Sequence, residues 1–331
     1  MRAVTTTGDN ALEIRDHPDP TPGPGDVRVR VHGAGLNRAD LLQRAGLYPA
    51  SPGSPPDIPG LEFAGVIDEV GPGVVGRSVG DRVFGIAGGG AQAEFIVVAA
   101  EHCVAVPDSV DLVAMGGVAE AFITAHDALV TQCRVQPGEW VLVHAAGSGV
   151  GTAAIQIAKA LGCRVIGTAR TAAKLEQCRE LGLDVGIVPD LDTDGRVDDI
   201  ALGEAVRSAT GSGADVTLDL VGGDYVTADV LAAAPLGRVS LIGTLAGSQA
   251  YVPILSVMQK RLQLTGTVLR PRSRAQKAEA TAAFARDLLP LFQSGAIAPT
   301  IESILPLDEA PAGYDRLASD ATFGKVVLDC R

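Results

Sequence analysis

The stretch Glu139–Ala154, E-W-V-L-V-H-A-A-G-S-G-V-G-T-A-A, constrains this chain more than any other. Val141-Leu142-Val143 is an apolar run of the kind a buried parallel strand needs. A small-residue turn from Ala145 to Gly151 follows it. Thr152–Leu161 then reads as an Ala-rich helix closed by Gly162. Strand, glycine turn and helix in this order build a phosphate site. The helix N-terminus offers unpaired N–H groups and a positive dipole end, and small residues let a pyrophosphate reach the backbone. Gly149-Val150-Gly151-Thr152-Ala153-Ala154 fits G-x-G-x-x-A. In a second register, Ala145, Ser148 and Gly151 fit a looser small-x-x-small-x-x-Gly pattern. A ligand-free turn between strand and helix can read the same way, so the flanking elements carry the inference.

The rest of the chain divides by pattern. Residues 1–118 are β-rich, with Val27-Arg28-Val29-Arg30-Val31 alternating at period two. The strand-like runs Glu62–Val70, Arg82–Ile86, Ala93–Val98 and Cys103–Val106 are cut by Gly and Pro, which suggests a small barrel. Asn37–Arg44 reads as a helical turn or two. From about Gly117 the pattern changes. A helix over Ala119–Val130 precedes strands at Val141–His144, Arg164–Ala169, Val185–Val188, Val216–Leu220, Arg238–Gly243 and Leu262–Val268. Helices are predicted between them at Thr152–Leu161, Thr171–Leu181, Val197–Ala209 and Asp224–Ala234. This alternation implies a parallel, doubly wound sheet with ligands at the strand C-termini. A long helix over Ala275–Phe292 and strands at Ile301–Leu305 and Gly324–Leu328 suggest that the C-terminus rejoins the first domain.

Composition narrows the function classes. The chain has 331 residues, 47% of them hydrophobic, enough for a sizeable core. Its 27 Lys and Arg against 39 Asp and Glu give a net charge of −12, which argues against nucleic acid or an anionic membrane as partner. Five scattered cysteines with no C-x-x-C indicate neither a disulfide framework nor a zinc ribbon, so a reducing cytoplasm is the default setting. The chain opens on a strand-like stretch without signal-peptide character, and no apolar run has membrane-helix length.

The second strand decides which dinucleotide fits. Its end, Thr168-Ala169-Arg170-Thr171 followed by Lys174, lies about 20 residues past the glycine turn, where an NAD site usually carries Asp or Glu. Here two hydroxyls and two cations stand without a carboxylate, which suits the 2′-phosphate of NADPH. The alternative is that Arg170 and Lys174 are solvated residues of a helix start.

Several ordered motifs together resemble the zinc-free quinone oxidoreductases, the zeta-crystallin-like branch of the medium-chain dehydrogenase/reductase superfamily. They are Gly35-Leu36-Asn37-Arg38-Ala39-Asp40, Gly46-Leu47-Tyr48-Pro49, Pro59-Gly60-Leu61-Glu62 with Gly65, Val79-Gly80-Asp81-Arg82-Val83, Thr124-Ala125, His144-Ala145 with Ser148–Ala154, and Gly324–Leu328. The resemblance implies an α/β protein: a Rossmann domain with a doubly wound parallel sheet over 121–270, and a GroES-like β-barrel catalytic domain built from 1–120 and 271–331. Zinc-dependent relatives use Cys, then Gly-His-Glu, then a further ligand. Here Asn37 stands near the Cys position and Leu61 replaces the His, so no metal is expected.

The resemblance also implies site roles. Asn37 and Tyr48 line the cleft beside the nicotinamide; Tyr48 hydrogen-bonds a developing oxyanion, and Asn37 orients nicotinamide or substrate. Simple capping of a helix by Asn37, and loop packing of Tyr48 under Pro49, are the alternatives. Thr124, Ser148, Gly149, Val150 and Gly151 hold the cofactor, with Thr168, Arg170 and Lys174 at its adenosine end. Gly243, Thr244 and the stretch Val268-Leu269-Arg270 contact the nicotinamide half, Val221 also contacts the cofactor, and Lys325 stands near it, a solvated lysine being the alternative. Many relatives place a Tyr after the third strand; Pro189 or Asp190 stands there here, leaving more of the phosphate to Arg170 and Lys174. The function implied is reduction of quinones by NADPH. Reduction of α,β-unsaturated carbonyls, or NADPH binding with little turnover, are the alternatives. The alternating apolar edge Leu262–Val268 implies a homodimer.

Overall fold

The computed structural model describes residues 1–8, 10–108 and 110–331. It divides into two compact units, Met1–Ile123 with Leu269–Arg331, and Thr124–Val268.

The unit built from both chain ends contains a seven-stranded sheet. Its order is Ile301–Pro306, Lys325–Asp329, Asp26–Gly35, Glu62–Val70, Arg82–Ile86 and Cys103–Ala105, with Phe95–Ala99 also pairing Asp26–Gly35. The central strand shows why alternation is informative. Val27, Val29 and Val31 are buried in the core. Arg28 turns outward to Asp68, and the Arg30 guanidinium lies 4.6 Å from the Phe95 ring centre. The C-terminal segment belongs to this sheet, because Val327 pairs with Gly35 and Leu328 with Ala34, antiparallel. Helix Arg274–Ser294 packs on the same unit through aromatic edges: Phe284 meets Phe84 at 5.9 Å and Phe292 meets Phe122 at 5.0 Å between ring centres.

The second unit is a six-stranded parallel sheet, in the order Val185–Ile187, Arg164–Thr168, Trp140–Val143, Ala214–Asp219, Ala233–Leu241 and Gln263–Gly266. The order reverses direction beside Trp140–Val143, the strand that leads into the glycine turn, so that turn sits at the switch point of the sheet.

The structure corrects several expected boundaries. The helix predicted from Thr152 begins at Gly149, because Ser148 caps it: its Oγ accepts the Gly151 N–H at 3.1 Å. The helix predicted through Ala234 spans Tyr225–Ala232, and Ala233 already starts the next strand. The helix expected over Ala119–Val130 is α-helical only to His126 and continues as a π-helix from Asp127 to Gln132. Helices Ile254–Lys260 and Ala310–Ala318 had no counterpart in the sequence reading. Among the described residues no helix is long and apolar enough to cross a membrane, and all five cysteines are buried thiols.

The Phe284 contacts tie the C-terminal return to the N-terminal sheet. Phe284→Ala leaves a cavity at a fully buried position and is expected to cost about 3–5 kcal/mol, read as a lower urea midpoint.

Candidate functional site

In the unit Thr124–Val268 the turn after Trp140–Val143 is built for close approach. A Cβ on Gly151 would stand 2.5 Å from the Ala145 carbonyl oxygen and 2.6 Å from that of Ala146, so no side chain fits there. Ala145 itself takes a positive φ of 49°, a conformation an L-residue adopts at a cost. The first four N–H groups of a helix lack intrahelical partners. Of these, the Gly151 N–H bonds Ser148 Oγ and the Ser148 N–H bonds the Ala145 carbonyl oxygen. The Gly149 and Val150 amides, half-buried at the positive end of the helix, remain for an anion.

The neighbouring strand ends complete this surface. Asp219 is fully buried and its Oδ1 accepts N–H bonds from Val221 at 2.7 Å and Gly222 at 2.8 Å, fixing the loop in which Val221 stands. Gly243 packs so tightly that a Cβ would stand 2.3 Å from the Leu220 carbonyl oxygen, and Thr244 beyond it is exposed. Thr124 is buried in helix Ala119–His126, and Val268 is 50% exposed.

Thr168 departs from expectation. Its hydroxyl is 2.9 Å from His144 Nδ1, and the residue is 1% exposed. The hydroxyl expected to meet the adenosine end of the cofactor is thus bonded within an interior network. His144 Nε2 in turn meets Asp229 Oδ1 at 2.7 Å. Burial pushes Asp229 up to about 6, although His144 opposes this; burial also disfavours charge on His144, but Asp229 holds its pKa above the ordinary value. The two side chains form a hydrogen-bonded pair inside the fold. Arg170 is exposed just before helix Ala172–Glu180, and Lys174 lies in its first turn, where its N–H is capped by Thr171 Oγ1.

The unit built from both chain ends carries a second polar cluster. Glu62, fully buried, receives Lys325 Nζ at 2.6 Å and Asn37 Nδ2 at 3.0 Å on Oε1, and the Glu120 N–H at 2.8 Å on Oε2. Lys325 Nζ also donates to the Leu36 carbonyl and to Asn37 Oδ1, at 2.6 and 2.7 Å. The space for this carboxylate exists because residue 35 is glycine: a Cβ there would stand 2.3 Å from Glu62 Oε1.

Asn37 stands at the N-cap of helix Arg38–Arg44, with its backbone N–H bonded to Asp40 Oδ2 at 2.8 Å. Its amide side chain is turned to Glu62 and Lys325. Asp40 also accepts from Gln92, which accepts from Tyr314 OH. Burial raises the Asp40 pKa to about 6, against the pull of the Asn37 N–H and the charge of Lys325.

The same helix positions Tyr48. Gln43 Oε1 accepts from Arg270, which donates to the Tyr48 carbonyl at 3.1 Å and to that of Gly88 at 3.2 Å. The Arg270 guanidinium lies 4.5 Å from the Tyr48 ring centre. Arg270 was read as a cofactor contact. In the structure it is 4% exposed and clamps the loop, and its neighbour Leu269 is equally buried. Half-buried Tyr48 has its pKa raised by burial, with Arg270 opposing, so its hydroxyl remains a donor at neutral pH. Sequence reading quoted Asp40 and Glu62 as motif letters and gave neither a role. It missed Asp219, a lone acid at a strand end.

The zinc-binding dehydrogenase family matches residues 149–285, and the alcohol dehydrogenase GroES-like domain matches residues 23–108. The chain is 35% identical over 323 residues to a quinone oxidoreductase of Pseudomonas aeruginosa, covering 97% of this chain and 96% of that protein. It is 32% identical over 319 residues to a 2-haloacrylate reductase of a Burkholderia species, covering 93% of this chain and 92% of that protein. A mycobacterial protein solved with NADPH superposes with a TM-score of 0.86 at 30% identity, covering 99% of both chains. The chain belongs to the zinc-free quinone oxidoreductase branch of the medium-chain dehydrogenase/reductase superfamily. It is an oxidoreductase that binds a nicotinamide dinucleotide and acts on a small molecule.

The superfamily name invites zinc, but the donors here do not fit it. Leu61, buried in the core, carries no ligand atom, and Glu62 is already neutralised by the Lys325 ammonium. Among the described residues no group of three or more His, Cys, Asp or Glu could hold a metal ion.

The oxidoreductase therefore depends on Lys325 as its fixed cation. Lys325→Met strands a buried carboxylate and is expected to lower stability by about 3–5 kcal/mol in denaturant titration.

Proposed function

We propose that this chain is an NADPH-dependent, zinc-independent quinone reductase. The observation that carries the reading is the closure of Glu62 by Lys325. A site neutralised by its own ammonium has no Lewis acid to polarise a carbonyl. It suits acceptors electrophilic enough to take a hydride unaided, and quinones are such acceptors. Conjugated alkenes are the next such class, and similarity to a 2-haloacrylate reductase favours α,β-unsaturated carbonyl compounds as the second reading.

When bound, the reduced nicotinamide supplies a hydride and its two electrons. The residues of the chain bind, orient and stabilise. Ser148, Gly149, Val150 and Gly151 hold the pyrophosphate at the helix N-terminus. Arg170 and Lys174 take the 2′-phosphate. Val221, Gly243 and Thr244 border the nicotinamide half, with Thr124 and Val268. Tyr48 donates a hydrogen bond to the acceptor oxygen as negative charge develops there. Asn37 acts by position: held by Glu62 and Lys325, it anchors the helix whose Gln43 grips Arg270, and Arg270 fixes Tyr48. The edge strand Gln263–Gly266 serves as the pairing edge of a homodimer.

The test is nicotinamide oxidation with p-benzoquinone and with an alkenal, using NADPH and NADH in turn. Faster turnover with NADPH and the quinone is expected; activity with the alkenal alone moves the chain to the second reading. Arg170→Ala and Lys174→Ala should each raise KM for NADPH by about tenfold and leave KM for NADH unchanged. Equal effects on both cofactors would remove the 2′-phosphate role.

A further inference from the structure

Behind the glycine turn lies a polar chain that no step of the reduction uses. His144 follows strand Trp140–Val143 directly and leads into Ala145. Its imidazole is fully buried, yet both ring nitrogens are engaged. Nδ1 stands 2.9 Å from Thr168 Oγ1, and Nε2 stands 2.7 Å from Asp229 Oδ1. The edge of the Tyr225 ring closes over it at 4.9 Å between ring centres. Asp229 Oδ2 has no hydrogen-bond partner among the described residues, so this side chain is held through Nε2. With Asp229 ionised, Nε2 carries a proton and the neutral ring accepts the Thr168 hydroxyl at Nδ1. Apolar side chains would fill the same space at lower desolvation cost. What hydrogen bonds add is direction.

Each member of the chain belongs to a different wall of the nucleotide site. His144 sets the entry to the turn whose Gly149 and Val150 amides remain for an anion. Thr168 ends strand Arg164–Thr168, two residues before exposed Arg170. Asp229 lies on helix Tyr225–Ala232, which follows the loop of Val221 and Gly222. The turn and the end of strand Arg164–Thr168 are joined twice. Besides the side-chain bond, the Ala146 N–H donates to the Thr168 carbonyl at 2.9 Å. Gly167 permits this approach, since a Cβ there would stand 2.8 Å from Ala146 Cβ. A dinucleotide carries its pyrophosphate and its adenosine at a fixed reach from one another. Two protein segments that hold those two parts must therefore keep their own spacing.

We propose that His144 and Thr168 are positioning residues for the dinucleotide: the bond between Nδ1 and Oγ1 sets the spacing between the pyrophosphate turn and the segment that meets the adenosine end. Both side chains act through the backbone segments they join. Asp229 holds the ring in the orientation that presents Nδ1 to Thr168. The assignment rests on the cofactor half of the reductase reading, with the dinucleotide at the glycine turn, and is independent of the acceptor and of the 2′-phosphate contacts of Arg170 and Lys174.

The test removes the Thr168 hydroxyl from the full chain and leaves the bond between His144 and Asp229 in place. Thr168→Val should raise Kd for NADPH and for NADH alike by about tenfold, read by fluorescence titration of the reduced nicotinamide. KM should follow, with kcat for p-benzoquinone at saturating NADPH unchanged, because the loss is one of uniform binding. Thr168→Ser, which restores the hydroxyl, should restore both Kd values. Amide hydrogen exchange separates positioning from bulk stability. In Thr168→Val the Ala146 N–H should exchange faster, while amides of strand Ala214–Asp219 keep their wild-type rates. Should Thr168→Val fail to fold, Thr168→Ala removes the same hydroxyl without placing a methyl against the ring, and carries the same expectations. A variant with unaltered Kd for both cofactors, or one whose amides exchange faster throughout the sheet, overturns the assignment. Binding is read without an acceptor, so a wild-type chain that binds NADPH and leaves p-benzoquinone unreduced strikes the reductase reading alone. A wild-type chain that binds neither NADPH nor NADH overturns the assignment with the cofactor reading.

Discussion

The buried ion pair between Glu62 and Lys325 is the constraint on which the unit built from both chain ends depends. Removing two charges from water costs several kcal/mol each, and their attraction repays this only when the remaining lone pairs and protons find partners. Here they do. Both Glu62 oxygens accept, from Lys325, Asn37 and the Glu120 N–H, and Lys325 also bonds the Leu36 carbonyl and Asn37. The pair links strand Glu62–Val70 to the strand Lys325–Asp329 from the far end of the chain. It thereby fixes the start of helix Arg38–Arg44, and through Gln43 and Arg270 the conformation of Tyr48.

The nucleotide-binding unit rests on a different economy, that of backbone. Gly151 leaves no room for a side chain, Ser148 caps the helix, and Asp219 fixes the loop after the next strand in the sheet. Small residues and a helix end thus shape this turn more than side-chain charges do. A buried hydrogen-bonded pair, His144 with Asp229, lies behind the turn and joins the end of strand Trp140–Val143 to helix Tyr225–Ala232. Thr168 completes that interior network.

Errors of the sequence reading have identifiable causes. Gly149 was left outside the helix because glycine disfavours helix interiors, yet a capped first turn tolerates it. Arg270 was expected to contact the cofactor because the family resemblance implies it. The fold instead surrounds it with acceptors from the Tyr48 and Gly88 segments and a tyrosine ring. Helices Ile254–Lys260 and Ala310–Ala318 are short, and such segments are set by packing more than by propensity.

The sequence by itself determined what depends on neighbours in the chain. The glycine turn between strand and helix, the alternation of the parallel sheet and the period-two strand at Val27–Val31 are all local patterns. Tertiary structure decided what depends on distant residues meeting. Lys325 reaches the Leu36 carbonyl across 289 positions of chain, and Arg270 reaches Gln43 across 227. No local propensity encodes such pairings. They form because the C-terminal strands complete the N-terminal sheet, and burial then makes each charge seek a partner.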